Sequence, residues 1–211
     1  RLGPQAAALA EDIAHWRSAE QRVCDWDGAW LVVSTGGLSR SDRVALRARE
    51  RALALSGFRL LDSHLYLRPD NLVGHAAAAR DRLYKLGLDS NAPVFSVRDL
   101  DPERERLART LWQGDKLNAS YRQGRIKLQA WIEHADQLDL DVAARESFLL
   151  GNDAIRQLVY DPLLPEPLVD VRERRAFTDV VRHYDQVGRD IWRRQLAQQS
   201  QQPAMPVALT P

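Results

Sequence analysis

Few places in this chain have residue types that could do chemistry. The first is the stretch at residues 25–37, DWDGAWLVVSTGG, where the apolar run 30–33 ends in Ser34, Thr35, Gly36 and Gly37. A strand followed by hydroxyls and glycines can feed a phosphate-binding loop, present a catalytic group, or close in a scaffold turn. A Walker loop requires Gly-Lys-Ser/Thr after its first glycine, because the lysine and the hydroxyl engage the phosphates and the metal. Here Gly36-Gly37 is followed by Leu38-Ser39-Arg40, and the G-x-G-x-x-G spacing of a dinucleotide loop is also missing. These residue types predict a mobile turn.

Metal and nucleophile chemistry fare no better. The five histidines, His15, His64, His75, His134 and His183, are far apart and never at the i, i+4 spacing that sets two on one helix face. His64 stands out only because it falls in an expected hairpin turn near Arg68. The single cysteine, Cys24, has Arg22 as its one basic neighbour, which gives no reason for a lowered thiol pKa. Glu133 and His134 are adjacent on a predicted helix and so point about 100° apart. No G-x-S-x-G elbow occurs. No catalytic, cofactor-binding or metal-binding residue is assigned, and an enzyme is not expected.

The elements that would position any site read as two blocks. A chain of 211 residues, 45% apolar and 28% charged with a net charge of +1, has the composition of a globular protein. One cysteine excludes an internal disulfide and fits a reducing cytoplasm, and no apolar run reaches the ~18 residues of a membrane span. Residues 5–22 predict a helix with Leu9, Ile13 and Trp16 on one side. A strand at 30–35 follows the turn Asp27-Gly28. Ser39 and Asp42 resemble a capping box opening a helix that runs to about Ser56, closed by Gly57. FRLLD and HLYLRP predict a hairpin that Pro69 ends. Leu72, Ala76, Ala79, Leu83 and Leu86 predict a helix over 71–86 closed by Gly87, and PVFSVRDL a last strand. The order strand, helix, strand, strand, helix, strand is the ferredoxin-like βαββαβ arrangement, so the class is α+β.

Beyond Asp101 only helices are predicted. Asp101-Pro102-Glu103 combines an N-cap, a proline at the first helical position and an early acid. Leu117, Tyr121, Leu128, Trp131 and Ala135 form the stripe of a second helix, and a third spans roughly 141–159. DPLLPEPL, with prolines at 162, 165 and 167, interrupts before a long helix at about 171–197. The expected divisions are a linker helix at 1–24, a ferredoxin-like domain at 25–100, an all-α C-terminal helical domain at 101–198 and a disordered tail at 199–211. Arginine dominates residues 40–59, with six against Asp42 and Glu50, and residues 172–194, with seven against four acids. Solvated helix faces or phosphate contacts account for such runs. On the first helix of the sheet domain, Val44, Ala48 and Leu55 share one face with Ala45 and Ala52. Leu46 and Leu53 fall nearly opposite, a second stripe for the helical domain or a second protomer to cover, which makes them candidate interface residues.

Taken together, WDGAWLVV, RARERALALSGFRLLDSHLYLRPDNL and YDPLLPEPL, the last before an arginine-rich helix, resemble the PaaX family of bacterial transcriptional regulators over about residues 26–192. The resemblance implies an N-terminal winged-helix DNA-binding domain, a ferredoxin-like dimerisation domain and a C-terminal helical domain. The best-known members look like repressors of phenylacetate catabolism, released from DNA by an aryl-coenzyme A thioester. RLGPQAAAL looks like the last wing strand, so the DNA-reading helix is expected upstream of Arg1. Relatives commonly carry an aspartate after the first strand, where this chain has Ser34 and Thr35. The usual Trp-Pro-Gly step after Leu168 is replaced here by VDVRERR.

These implications lead to the core of a repressor that forms a homodimer, meets DNA through the upstream domain, and senses a small effector, an acyl-CoA by analogy. Cationic side chains for the phosphates and aromatic surfaces for a ring point to Arg68, Trp112, Tyr121 and Arg122 as candidate effector-binding residues. One rival is a divergent ferredoxin-fold nuclease with acids such as Asp62 or Asp99 at strand ends holding a metal. Another is a pure dimerisation module.

Overall fold

The computed structural model describes residue 14, residues 16–39 and residues 41–201. Its centre is β1, Trp30–Ser34, an apolar strand flanked on both sides by others. The hairpin β2, Arg59–Asp62, and β3, Leu65–Pro69, lies to one side, and β4, Val94–Val97, to the other. All pairings are antiparallel, in the order β2-β3-β1-β4, which is the expected ferredoxin-like topology.

Because strand side chains alternate, β1 serves two cores at once. Leu31 and Val33 face α1, Arg43–Leu55, and α2, His75–Leu86, where they pack with Leu53, Phe58, Leu83 and Leu86. Trp30 and Val32 face the other way, against Ala108, Trp112, Leu164, Leu168 and Val169. Both faces of β1 are therefore covered within one chain.

Local chemistry sets the helix ends, with two departures from expectation. Asp42 itself caps α1, accepting from the amides of Val44 at 2.9 Å and Ala45 at 3.1 Å, while Ser39 plays no part in that cap. Helix α2 starts four residues later than its periodicity suggests, because Gly74 is left-handed at φ 85° and Leu72 bridges to Val23 instead. Gly87, at φ 107°, ends α2 as expected.

The two-stripe reading of α1 is overturned. Leu53 is 1% exposed and belongs to the core, whereas Val44, placed on the buried face by its spacing, is 79% exposed. Leu46 is half-buried. The face that α1 turns inward is Arg49, Ala52 and Leu53, and a buried arginine breaks an apolar pattern read from hydropathy alone. Arg49 is satisfied there by Asp89, 2.9 Å from its Nε, and by the carbonyl of Ser39.

The second block comprises α3, Pro102–Thr110, α4, Gly114–His134, α5, Leu140–Val159, and α6, Val171–Gln201. Asp101 caps α3 as expected, accepting from the amide of Arg104. Helices α4, α5 and α6 share a core of Tyr121, Leu128, Trp131, Leu158, Phe177, Val181, Tyr184 and Ile191. Trp16 joins that core from a 3₁₀ helix, Trp16–Arg22, which replaces the end of the α-helix expected there. Helix α6 continues past residue 197, to Gln201. Leu9, Ile13, His15, Arg40, the proposed wing strand and residues 202–211 lie outside the described residues.

Candidate functional site

The four candidate effector residues do not converge on one surface. Trp112 is buried, stacks on Trp30 with ring centroids 6.1 Å apart, and donates its indole N–H to the carbonyl of Gly57. Tyr121 is buried in the helical core against Phe177. Burial first, and then the nearby Asp161 carboxylate, push its hydroxyl pKa upward. That hydroxyl has no hydrogen bond of good geometry. Arg122 is exposed on α4, where it pairs with Glu173 at 3.6 Å.

Arg68 is buried, and its guanidinium is committed to the chain itself. Nη1 donates to the carbonyl of Ser56 at 2.7 Å, and Nε to that of Pro69 at 3.2 Å. Nη2 donates to the Asn71 side chain and to the carbonyl of Pro162, both at 3.2 Å. Asn71 extends the tie, its Nδ2 donating to the carbonyl of Leu163 at 2.7 Å. Leu163 sits at φ 52°, a left-handed conformation uncommon outside glycine, and its amide donates to Asp161 at 2.7 Å. The RPDN and DPLLP segments therefore meet in space: a buried arginine and asparagine of the sheet domain hold the proline-rich segment leading into α6. The spacing of residues 68 and 71 gave no sign of this, because the partners lie about ninety residues away in sequence.

The same arginine forms part of a cleft of about 120 Å³ between the sheet, α2 and the amino-terminal arm, residues 16–23. Its wall is mainly apolar, with Leu31, Phe58, Val73 and Ala79, and three arginines line it, Arg22, Arg68 and Arg82. Burial, followed by the fields of Arg82 and Arg22, pushes the Arg68 pKa down to about 10. Asp70 acts in the opposite direction on Arg68, and its carboxylate is engaged by His75 Nδ1 at 2.9 Å and by the Ser96 hydroxyl at 3.3 Å. Ser56 also stands on the wall, its buried hydroxyl without a hydrogen-bonding partner.

A second tie binds the arm to the helical block. Arg174 of α6, fully buried, donates through Nε to Glu20 at 2.7 Å and through Nη1 to the carbonyl of Leu164. Glu20 also meets Arg175. Arg17 pairs with Asp185, and the carbonyl of Arg17 accepts from Arg182.

The remaining candidates fall apart by position. Asp62 ends β2 opposite Leu65 of β3, at the end of the sheet where β1 finishes, whereas Asp99 follows β4 at the end where β1 begins. They lie at opposite ends of the sheet and on opposite edge strands, so they cannot share a cation. Among the described residues no group of three or more His, Cys, Asp or Glu is placed to hold a metal ion. Thr35 is buried, and both its amide and its hydroxyl donate to the carbonyl of His64, at 2.8 and 3.1 Å. The residues after β1 thus tie that strand to the β2–β3 turn. No helix among the described residues is long and apolar enough to cross a membrane.

Residues 112–194 match the family described as PaaX-like protein C-terminal domain. In fold, the chain is similar to the uncharacterized protein Rv0674 from Mycobacterium tuberculosis, with a TM-score of 0.56 and 19% sequence identity over 91% of this chain and 74% of that one. No curated protein matches the chain in sequence.

Proposed function

We propose that this chain, which carries a PaaX-like C-terminal domain, is the dimerising, effector-sensing core of a bacterial transcriptional regulator. In this reading it is a cytoplasmic repressor rather than an enzyme, it acts on genes of aromatic-compound catabolism, and a winged helix upstream of Arg1 reads the operator. The observation that carries the sensing role is the pair of ties described above. Arg68 and Asn71 hold the proline-rich segment, and Glu20 and Arg174 hold the arm. A domain preceding the arm is thereby connected to the helical block and the sheet through a few buried polar contacts. Such contacts are discrete, so a ligand that favours one arrangement can shift the population between two.

The test uses the complete gene product, footprinted on the DNA upstream of its own operon in the presence of a panel of aryl-coenzyme A thioesters. One thioester is expected to release the DNA. Protection that no thioester alters would reduce the reading to a dimerisation module, and absence of DNA protection would remove the regulator role altogether.

A further inference from the structure

We propose that the groove between α5 and α6 seats the segment preceding the arm, residues 5–13 of this same chain, as a helix with Leu9 and Ile13 turned into it. The groove has a volume of about 220 Å³ and is lined by Phe148, Ile155, Val181, Tyr184, Gly188 and Trp192. Its rim is open: Phe148 is 63% exposed and Trp192 40%. Clustered apolar exposure of this kind marks a surface that packs against something.

The course of the arm identifies the occupant. Glu20 meets Arg174 and Arg175 at the start of α6. Arg17 meets Asp185, and its carbonyl accepts from Arg182, both farther along the same helix. Followed toward the amino terminus, the arm therefore travels along α6 in the direction of Trp192. Trp16 lies in the core with Val181 and Tyr184, two residues that also line the groove. Ala14, just before it, is helical. A helix continued upstream at about 1.5 Å per residue brings Leu9 about 10.5 Å from Trp16, the distance that separates Asp185 from Trp192 on α6. Leu9, Ile13 and Trp16 recur at steps of four and three, so the face that buries Trp16 carries the other two with it.

Charge agrees with this path. Glu11 and Asp12 are the charged residues between Leu2 and Ala14, while α6 has seven arginines against four acids over residues 172–194. Arg189 and Arg193 already pair with Asp185 and Asp190, but exposed pairs hold little energy and leave the positive surplus of the helix in place. A helix this short is marginal in water by itself, so its stability must come from packing in the groove. Seating it fixes the angle at which any upstream domain joins α5 and α6. That consequence rests on the regulator reading, whereas the seat does not.

Hydrogen exchange of the whole chain tests the seat. Amides of residues 5–13 should exchange at least about 10-fold more slowly than in a synthetic peptide of residues 1–13. Phe148→Glu and Trp192→Glu, both at exposed positions, should each abolish that protection while β1 stays protected. Leu9→Glu combined with Ile13→Glu should do the same, and Val44→Glu, exposed on α1, should not. Protection independent of protein concentration supports the chain's own segment as occupant. Protection that appears only as the chain dimerises would put a second copy in the groove and overturn the proposal. Exchange at the peptide's rate in the wild-type chain, or protection unaltered by both groove variants, would overturn it as well. An absent operator footprint removes the regulator reading and leaves the seat standing, while a lost seat leaves the footprint as it was.

Discussion

Arg68 donates to three backbone carbonyls and one side-chain amide, drawn from the residue that caps the end of α1, β3, the turn after β3 and the proline-rich segment. A planar fork can serve such divergent acceptors, and an ammonium cannot. Arg68→Lys is therefore expected to destabilise the chain nearly as much as Arg68→Met, by about 3 kcal/mol or more, since each buried carbonyl left unpaired costs about 1–3 kcal/mol. Urea midpoints check this, and a Lys variant with wild-type stability would contradict it. Asp89 makes a narrower prediction. Its hydrogen bond from Arg49 holds its carboxyl below the ordinary carboxylate range despite an opposing contribution from burial. The stability it adds is present above the unfolded-state pKa of about 4 and is lost as pH falls through the lowered folded value. Asp89→Asn should thus shrink the difference in unfolding free energy between pH 7 and pH 3. An unchanged difference would mean that other groups govern acid unfolding.

Among the helices, contact distance depends on small residues. A Cβ at Gly124 of α4 would stand 2.6 Å from the ring of Phe177 on α6, and that ring is fully buried. Gly124→Ala should cost about 1–3 kcal/mol by overpacking, whereas Gly37→Ala, with nothing within 4 Å, should change stability by less than about 0.5 kcal/mol. Thermal unfolding of the two variants side by side decides the point. Most helices were readable beforehand because their signals are local. Asp101-Pro102 starts α3, Gly87 ends α2, and the stripe Leu117, Tyr121, Leu128 and Trp131 marks α4. The start of α2 and the inward face of α1 were not readable. The first is decided by the bridge between Val23 and Leu72, the second by Arg49 finding Asp89 forty residues on.

The arm couples everything else. Glu20 is the carboxylate that meets Arg174, a guanidinium with no exposure at all. Removing one partner of a buried pair leaves an uncompensated charge, which costs about 3–5 kcal/mol. Glu20→Gln is accordingly expected to raise hydrogen exchange across residues 16–23 and at the start of α6, with β1 and β3 still protected. Uniform loss of protection would instead mean that the arm is integral to the sheet. Pairing of two chains, which remains part of the proposed function, has a constraint of its own. Trp30, Val32 and Leu67 on one face and Leu31 and Val33 on the other are already covered by the same chain. A dimer must use sheet edges or helix surfaces, and Leu53 cannot contribute to it without unfolding α1 from the core.

Taken alone, the order of residue types determined the strand and helix sequence, the ferredoxin-like topology and the change to an all-helical block after Asp101. Periodicity, caps and turn residues act over a few positions and carry that information within any short window. Only the tertiary structure decided which polar side chains matter. Arg68, Asn71, Glu20 and Arg174 acquire their roles from partners up to 154 residues away, through burial that makes an unpaired charge or amide costly. No local pattern encodes that cost, because it arises when the chain closes on itself.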